Sequence, residues 1–125
     1  MSTVQDLRYG QNMVFGRVTL TNNMVVGSSS NVTSDQTAYN VTNVNIVRLN
    51  PSPLSFYFYG LTGGTDPHIV QFQNLSSSKN VTFMHQSAFG TQKFWLVQEV
   101  DKIVGPYEGI RFACLGGVWC EIGQV

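Results

Sequence analysis

Residues 54–73 read Leu54-Ser55-Phe56-Tyr57-Phe58-Tyr59-Gly60-Leu61-Thr62-Gly63-Gly64-Thr65-Asp66-Pro67-His68-Ile69-Val70-Gln71-Phe72-Gln73. An aromatic run, a glycine-rich turn and a clean alternation follow one another, and this order predicts strand, turn, strand. Aromatic residues favour extended backbone. Along an extended run, Phe56 and Phe58 share one face and Tyr57 and Tyr59 the other. A strand apolar on both faces lies between two layers or at a subunit contact. Tyrosine suits a contact, because its ring packs while its hydroxyl keeps a partner or water. The phenylalanine face is therefore expected in the core, and Tyr57 and Tyr59 are expected outside, at a subunit interface. The glycines and proline of 60–67 make the sharpest turn of the chain. In 68–73, Val70 and Phe72 alternate with Gln71 and Gln73, the mark of a half-buried strand.

The same grammar extends both ways. Residues 44–49 are rich in β-branched side chains and stop at Asn50-Pro51-Ser52-Pro53, since proline cannot donate to a ladder. Further upstream, 17–21 and 24–26 flank Asn22-Asn23 as a hairpin, and 27–31 reads as a loop. Downstream, 74–79 is a polar loop, 80–85 alternates again around Val81 and Phe83, and 94–97 is a strand. Gly105-Pro106 turns the chain, and 110–115 and 118–122 form a hairpin across Gly116-Gly117. Roughly nine or ten strands at near-regular spacing predict an all-β fold, a single jelly-roll-like β-sandwich over residues 17–125. No stretch sustains apolar residues at helical spacing.

Residues 1–16 read as a short N-terminal arm. Val4, Leu7, Tyr9, Met13 and Phe15 are apolar but irregularly spaced, and Gly10 and Gly16 interrupt them. Such a segment is either a strand on its own domain or an extended arm that binds a partner.

Composition narrows the function classes. The 125 residues fit one domain, and their 42 % hydrophobic content is that of a globular chain. Only 11 % are charged, with seven basic and seven acidic residues, so the net charge is zero. A neutral, charge-poor surface argues against electrostatic binding of nucleic acid or of an anionic membrane. It also tolerates close association with other protein surfaces. No run approaches the length of a transmembrane helix, and the first residues lack a signal peptide's apolar region. Synthesis in a cytosol is the expectation.

Chemistry-bearing residues are sparse and scattered. His68 and His85 stand at strand ends without a second ligand at metal spacing. Asp66 before Pro67 is expected to cap its turn. Glu99 and Asp101 would share a face only if a strand ran that far, and a carboxylate pair needs more partners to hydrolyse a glycoside or hold calcium. Gly60, Gly63 and Gly64 lack the lysine and hydroxyl of a phosphate loop and read as turn glycines. The Asn-x-Ser/Thr matches at Asn31, Asn40, Asn74 and Asn80 arise easily in a chain this rich in those residues. Phe56, Tyr57, Phe58, Tyr59, Trp95 and Trp119 could stack on sugars, although in a β-domain such rings more often fill the core. The reading is of no enzyme, no metal and no cofactor. Cys114 and Cys120 turn on hairpin register. A two-residue turn places them on opposite faces, whereas a three-residue loop would let them bridge. A cytosolic origin favours free, largely buried thiols.

Residues 36–125 resemble a β-domain that recurs in tailed-bacteriophage decoration (cement), head-fibre and tail-fibre or spike proteins. The matching pieces stand in order: the strand Val44-Asn45-Ile46-Val47-Arg48-Leu49; the Gly-Leu-x-Gly-Gly-x-Asp turn at Gly60 to Asp66; Ile69 to Asn74, where the family ends a strand on asparagine; Asn80 to His85, a strand ending in histidine; Phe94; and Gly109-Ile110-Arg111-Phe112 with Trp119. Lys93 departs from the family's arginine before phenylalanine, and Cys114 stands near its usual tyrosine. The resemblance implies a virion protein, commonly a homotrimer, that contacts the major capsid protein or other virion proteins and neither nucleic acid nor membrane. It carries over a setting, not an active site. A single domain starting at Met1, without shaft repeat or heptads, points to a capsid decoration protein that stabilises the head shell. A tail-fibre or spike module that recognises host surface glycans is the alternative.

Overall fold

The computed structural model describes residues 27–124, and the arm, with the 17–21 and 24–26 hairpin, lies outside the described residues. The described residues are all-β. Eleven strands follow in order: β1 Ser28–Val32, β2 Tyr39–Asn40, β3 Ile46–Leu49, β4 Phe56–Phe58, β5 Gly60–Thr62, β6 His68–Asn74, β7 Val81–Phe83, β8 Gln92–Trp95, β9 Lys102–Val104, β10 Gly109–Leu115 and β11 Val118–Gln124. They form an eight-stranded sheet in the order β1-β3-β6-β10-β11-β8-β5-β2 and a three-stranded sheet in the order β4-β7-β9.

Alternation decides which side chains go inside. Val47 and Leu49 of β3, Phe56 and Phe58 of β4, Val70 and Phe72 of β6, Val81 and Phe83 of β7, and Ile110, Phe112 and Cys114 of β10 are all buried. The core is aromatic at its centre. Phe83 of the small sheet lies 5.3 Å from Phe58, 4.9 Å from Phe72, 5.2 Å from Phe94 and 5.5 Å from Phe112, edge to face with Phe72 and Phe94 and stacked on Phe58. Such pairs add about 0.5–1.5 kcal/mol each beyond their buried area. The two sheets thus face each other across one core, which is a sandwich in the coarse sense.

The direction of the strands differs from a jelly roll. Five of the nine ladders are parallel: β1 with β3, β3 with β6, β4 with β7, β2 with β5, and β8 with β11. A jelly roll pairs its strands antiparallel. Here the chain winds like a solenoid. Ile46 lies beside Gln71 and Phe56 beside Val81, the same step along the sequence, so one full turn stacks on the next. Gln36 sits beside Phe58 and Tyr39 beside Leu61, again at equal offsets. Each turn supplies the long crossover that parallel pairing requires, with corner loops in place of helices. The winding then reverses: β9 returns antiparallel on β7, β10 on β6, and β11 on β10.

Several local expectations are corrected. Residues 27–31, read as a loop, contain most of β1, which pairs with β3 and is largely exposed. The glycine-rich turn begins only after β5, because Gly60 and Leu61 pair with Lys93 and Gln92 of β8. β9 was not anticipated, since three residues with one buried member carry little pattern.

Two polar groups hold the corners. Asn74, fully buried at the end of β6, donates its amide to the carbonyls of Lys79, Val104 and Gly105 at 2.9, 3.2 and 3.0 Å. Its Oδ1 accepts from Ser76 N–H at 2.9 Å. Gln92 accepts from Gly64 N–H and donates to Gly64 carbonyl, at 3.0 and 3.1 Å.

Candidate interaction faces

The residues singled out for chemistry are dispersed. His68 donates from Nε2 to the Val44 carbonyl at 2.8 Å and packs edge-on against Trp119. His85 accepts Leu96 N–H on Nδ1 at 3.0 Å, which requires that nitrogen to carry no proton. Glu99 lies in a turn with φ 59°, between β8 and β9, while Asp101 Oδ1 accepts His85 N–H at 2.8 Å. The two carboxylates form no pair on a strand. Asp66 does not cap its own turn; it reaches the hairpin tip and accepts Gly116 N–H at 3.3 Å. The reason is the register, which sets Cys114 beside His68 and brings that tip over the 60–67 turn. Among the described residues, no three His, Cys, Asp or Glu side chains gather as a metal site.

The hairpin has the two-residue register. Leu115 opposes Val118, Cys114 opposes Trp119 and Cys120 opposes Ala113, with Gly116 and Gly117 at φ 64° and 82°. Positive φ at both central residues is the conformation that glycine permits. Both thiols are free. Cys114 points into the core, and burial pushes its thiol above the ordinary value, a backbone contact at Gly117 opposing this only in part. Cys120 is half-buried on the outer face.

What the fold does build is two apolar faces that none of the described residues covers. The first is the outer face of the small sheet. Tyr57, Thr82 and Ile103 form one row across β4, β7 and β9, and Ile103 is 58 % exposed. Tyr59 stacks on Tyr57 at 6.1 Å, and Phe89, 75 % exposed, meets Tyr59 edge-on at 5.8 Å. As expected from the alternation, Phe56 and Phe58 point inward and Tyr57 outward, while Tyr59 is half-buried. Asp35 stands at the edge, accepting Tyr57 N–H at 2.8 Å, and Asp101 stands by the end of β7.

The second face is the outer side of the large sheet. Register places Ile69, Ala113, Cys120 and Trp95 in one row across four adjacent strands. Leu115 and Val118 extend it toward the hairpin tip, and Ile69 and Leu115 are each 51 % exposed. Arg48, Lys93 and Arg111 point to the same side and flank the row. The neighbouring carboxylates are engaged locally, Asp66 by Gly116 N–H and Glu121 by Val97 N–H. This face escaped the sequence reading, because its row is assembled from strands far apart in the chain. Trp95 and Leu115, exposed on otherwise alternating strands, were the signal that could have found it.

The arm residues Val4, Leu7, Tyr9, Met13 and Phe15 lie outside the described residues. No family model, no curated protein and no solved structure matches the chain.

Proposed function

We propose that the chain is a structural protein of a tailed-bacteriophage particle, a homotrimeric capsid decoration protein that binds the major capsid protein and stabilises the head shell. The observation that carries this reading is the pair of uncovered apolar sheet faces on a charge-poor domain. Exposed apolar area of this extent marks surfaces built for protein contact. The ordered motif resemblance supplies the setting and the number three, and the alternation along β4 gives its tyrosine face to a neighbouring subunit. Purified protein should bind isolated heads that lack it and raise their resistance to heat, and electron microscopy of the intact virion should find it at regular positions on the shell. Density at the tail alone would overturn the decoration role.

One observation favours the alternative, a receptor-binding module of a tail fibre. Tyr57, Tyr59 and Phe89 form a contiguous exposed aromatic strip, and aromatic faces stack on sugars. Binding of host surface glycans that is lost in Tyr57→Ala, without binding to heads, would select that reading.

A further inference from the structure

β11 runs on where its neighbour stops. β8 pairs with it at Trp119 and Cys120 and ends at Trp95. There Leu96 N–H turns to His85 Nδ1, Glu99 N–H closes a turn on the Leu96 carbonyl, and the chain crosses to β9 in the small sheet. Residues 121–124 of β11 pair with β10 alone, and Ile122 falls in the irregularity of that ladder without an opposite residue. Among the described residues, no strand takes the line that β8 leaves. A groove of about 310 Å³ lies along it, walled by Val97, Val100 and Ile122, which are 69, 58 and 50 % exposed. Edges that are kept from pairing usually carry charge, proline or a covering loop. This one has an apolar wall beside an open backbone flank, the two features that accept an added strand.

Charge says which strand fits. Asp101 and Glu121 line the groove, and Glu99 stands between two residues that do, against Lys102 as the single cation among the lining residues. Three of the chain's seven acidic residues thus gather at this rim. Asp101 and Glu121 each accept a backbone N–H, and a carboxylate keeps its charge in doing so. The complement is an extended segment that carries Lys or Arg beside apolar residues. A second copy offers none among its described strands. Those at the ends of the sheets are β1, β2, β4 and β9; the first three hold no cation, and Lys102 of β9 directly follows Asp101. We propose that the groove takes up a strand of the shell protein to which this chain attaches, an extended, Lys- or Arg-bearing segment that pairs with residues 121–124 of β11 in the line of β8. This rests on the attachment reading above and assigns its contact.

Hydrogen exchange on the free protein and on protein bound to isolated heads tests this. The amides of 121–124 should exchange roughly tenfold or more slowly on heads than in the free protein, because a second ladder then holds them. Val97→Lys and Val100→Lys reverse the charge of the groove and remove its apolar wall. Both positions are exposed, and two variants guard against one that misfolds, with circular dichroism as the check. Each should weaken binding to heads by roughly tenfold or more. Asp101→Asn keeps an oxygen for His85 N–H and removes one rim charge, so it should weaken binding and make it less sensitive to salt. If head-bound protein gains no protection at 121–124, or if both lysine variants bind as the wild type does, the groove is not the contact. Full protection of 121–124 already in the free protein would mean that this chain fills the flank itself, and protection that rises with protein concentration alone would make the occupant a second copy; either overturns the proposal. A wild type that does not bind heads would instead remove the attachment reading itself.

Discussion

The indole nitrogen of Trp119 donates to the side-chain oxygen of Gln92 across 3.2 Å, and that same oxygen accepts the N–H of Gly64 at 3.0 Å. One amide thus satisfies the most voluminous fully buried ring and the glycine-rich turn together. Gln92→Leu leaves the indole N–H and both Gly64 backbone groups without this partner, at about 1–3 kcal/mol for each group that stays dry. Gly64→Ala acts on the same spot by crowding, because an added Cβ would lie 2.3 Å from Trp119 Cζ2. It should cost about 1–3 kcal/mol, the range for overpacking a core. Urea unfolding followed by tryptophan fluorescence measures both, and an unchanged midpoint in either variant contradicts the account.

Phe83 touches four other phenylalanines from both sheets. Phe83→Ala should destabilise the domain by about 3–5 kcal/mol. Tyr57→Ala should leave the midpoint of the monomer within about 1 kcal/mol, since its ring lies on the surface. Comparable losses at the two positions would mean that the tyrosine face is core.

Asn74→Asp keeps the shape and replaces the donating amide by a carboxylate facing three carbonyls. The corner then carries a buried charge that keeps only the Ser76 N–H as donor and faces three carbonyls, and the loss should be about 3 kcal/mol or more at neutral pH. Protonating the aspartate supplies one donor, so the deficit should shrink as the pH is lowered toward 4. A deficit independent of pH would assign the effect to something other than charge.

Cys114 provides a test at alkaline pH. Its folded pKa is raised by burial, so the thiol stays protonated where the unfolded chain has begun to ionise. Its contribution to stability is complete below the unfolded value, near pH 9, and is lost as the pH climbs through the folded value. The stability of the wild type should therefore fall more steeply above pH 9 than that of Cys114→Ala. Native protein should take up at most one equivalent of thiol reagent, at Cys120, and unfolded protein two. An unreduced monomer two protons lighter than the reduced one would reveal a bridge instead.

Residues 1–16 are expected to serve attachment more than folding. Their deletion should leave a soluble β-domain that no longer binds heads. A truncated chain that fails to fold would make the segment part of the core.

Alternation made most strands legible, and with them the inward Phe56 and Phe58 and the outward Tyr57. Gly116-Gly117 made the hairpin legible, but its register stayed open between a two-residue turn and a three-residue loop, which the pairing of Leu115 with Val118 decides. The direction of pairing was not. A strand with Val70 and Phe72 inside has the same pattern whether its neighbour runs with it or against it. Only the repeated offset, from Ile46 to Gln71 and from Phe56 to Val81, distinguishes a wound chain from a folded-back one. Asp66 was misassigned for a related reason, since its partner Gly116 is distant in sequence and the turn itself gives no sign of it. The cationic flank of the large face has the same origin: Arg48, Lys93 and Arg111 become neighbours only once three separate strands are ordered in the sheet.

β11 runs between β10 and β8, so the last of the described strands to be made belongs in the middle of the large sheet. Before it is made, β1-β3-β6-β10 and β8-β5-β2 share no ladder. Folding of the large sheet must therefore wait for the end of this segment and then proceed in one cooperative step. A chain interrupted during synthesis would hold two unjoined half-sheets with their facing edges bare, a form open to pairing with other nascent chains. Once seated, Trp119 and Cys120 are held by a ladder on each flank, whereas the strand beyond them pairs with β10 alone. Fraying from the far end of β11 should therefore stop at Cys120, where both ladders must break together.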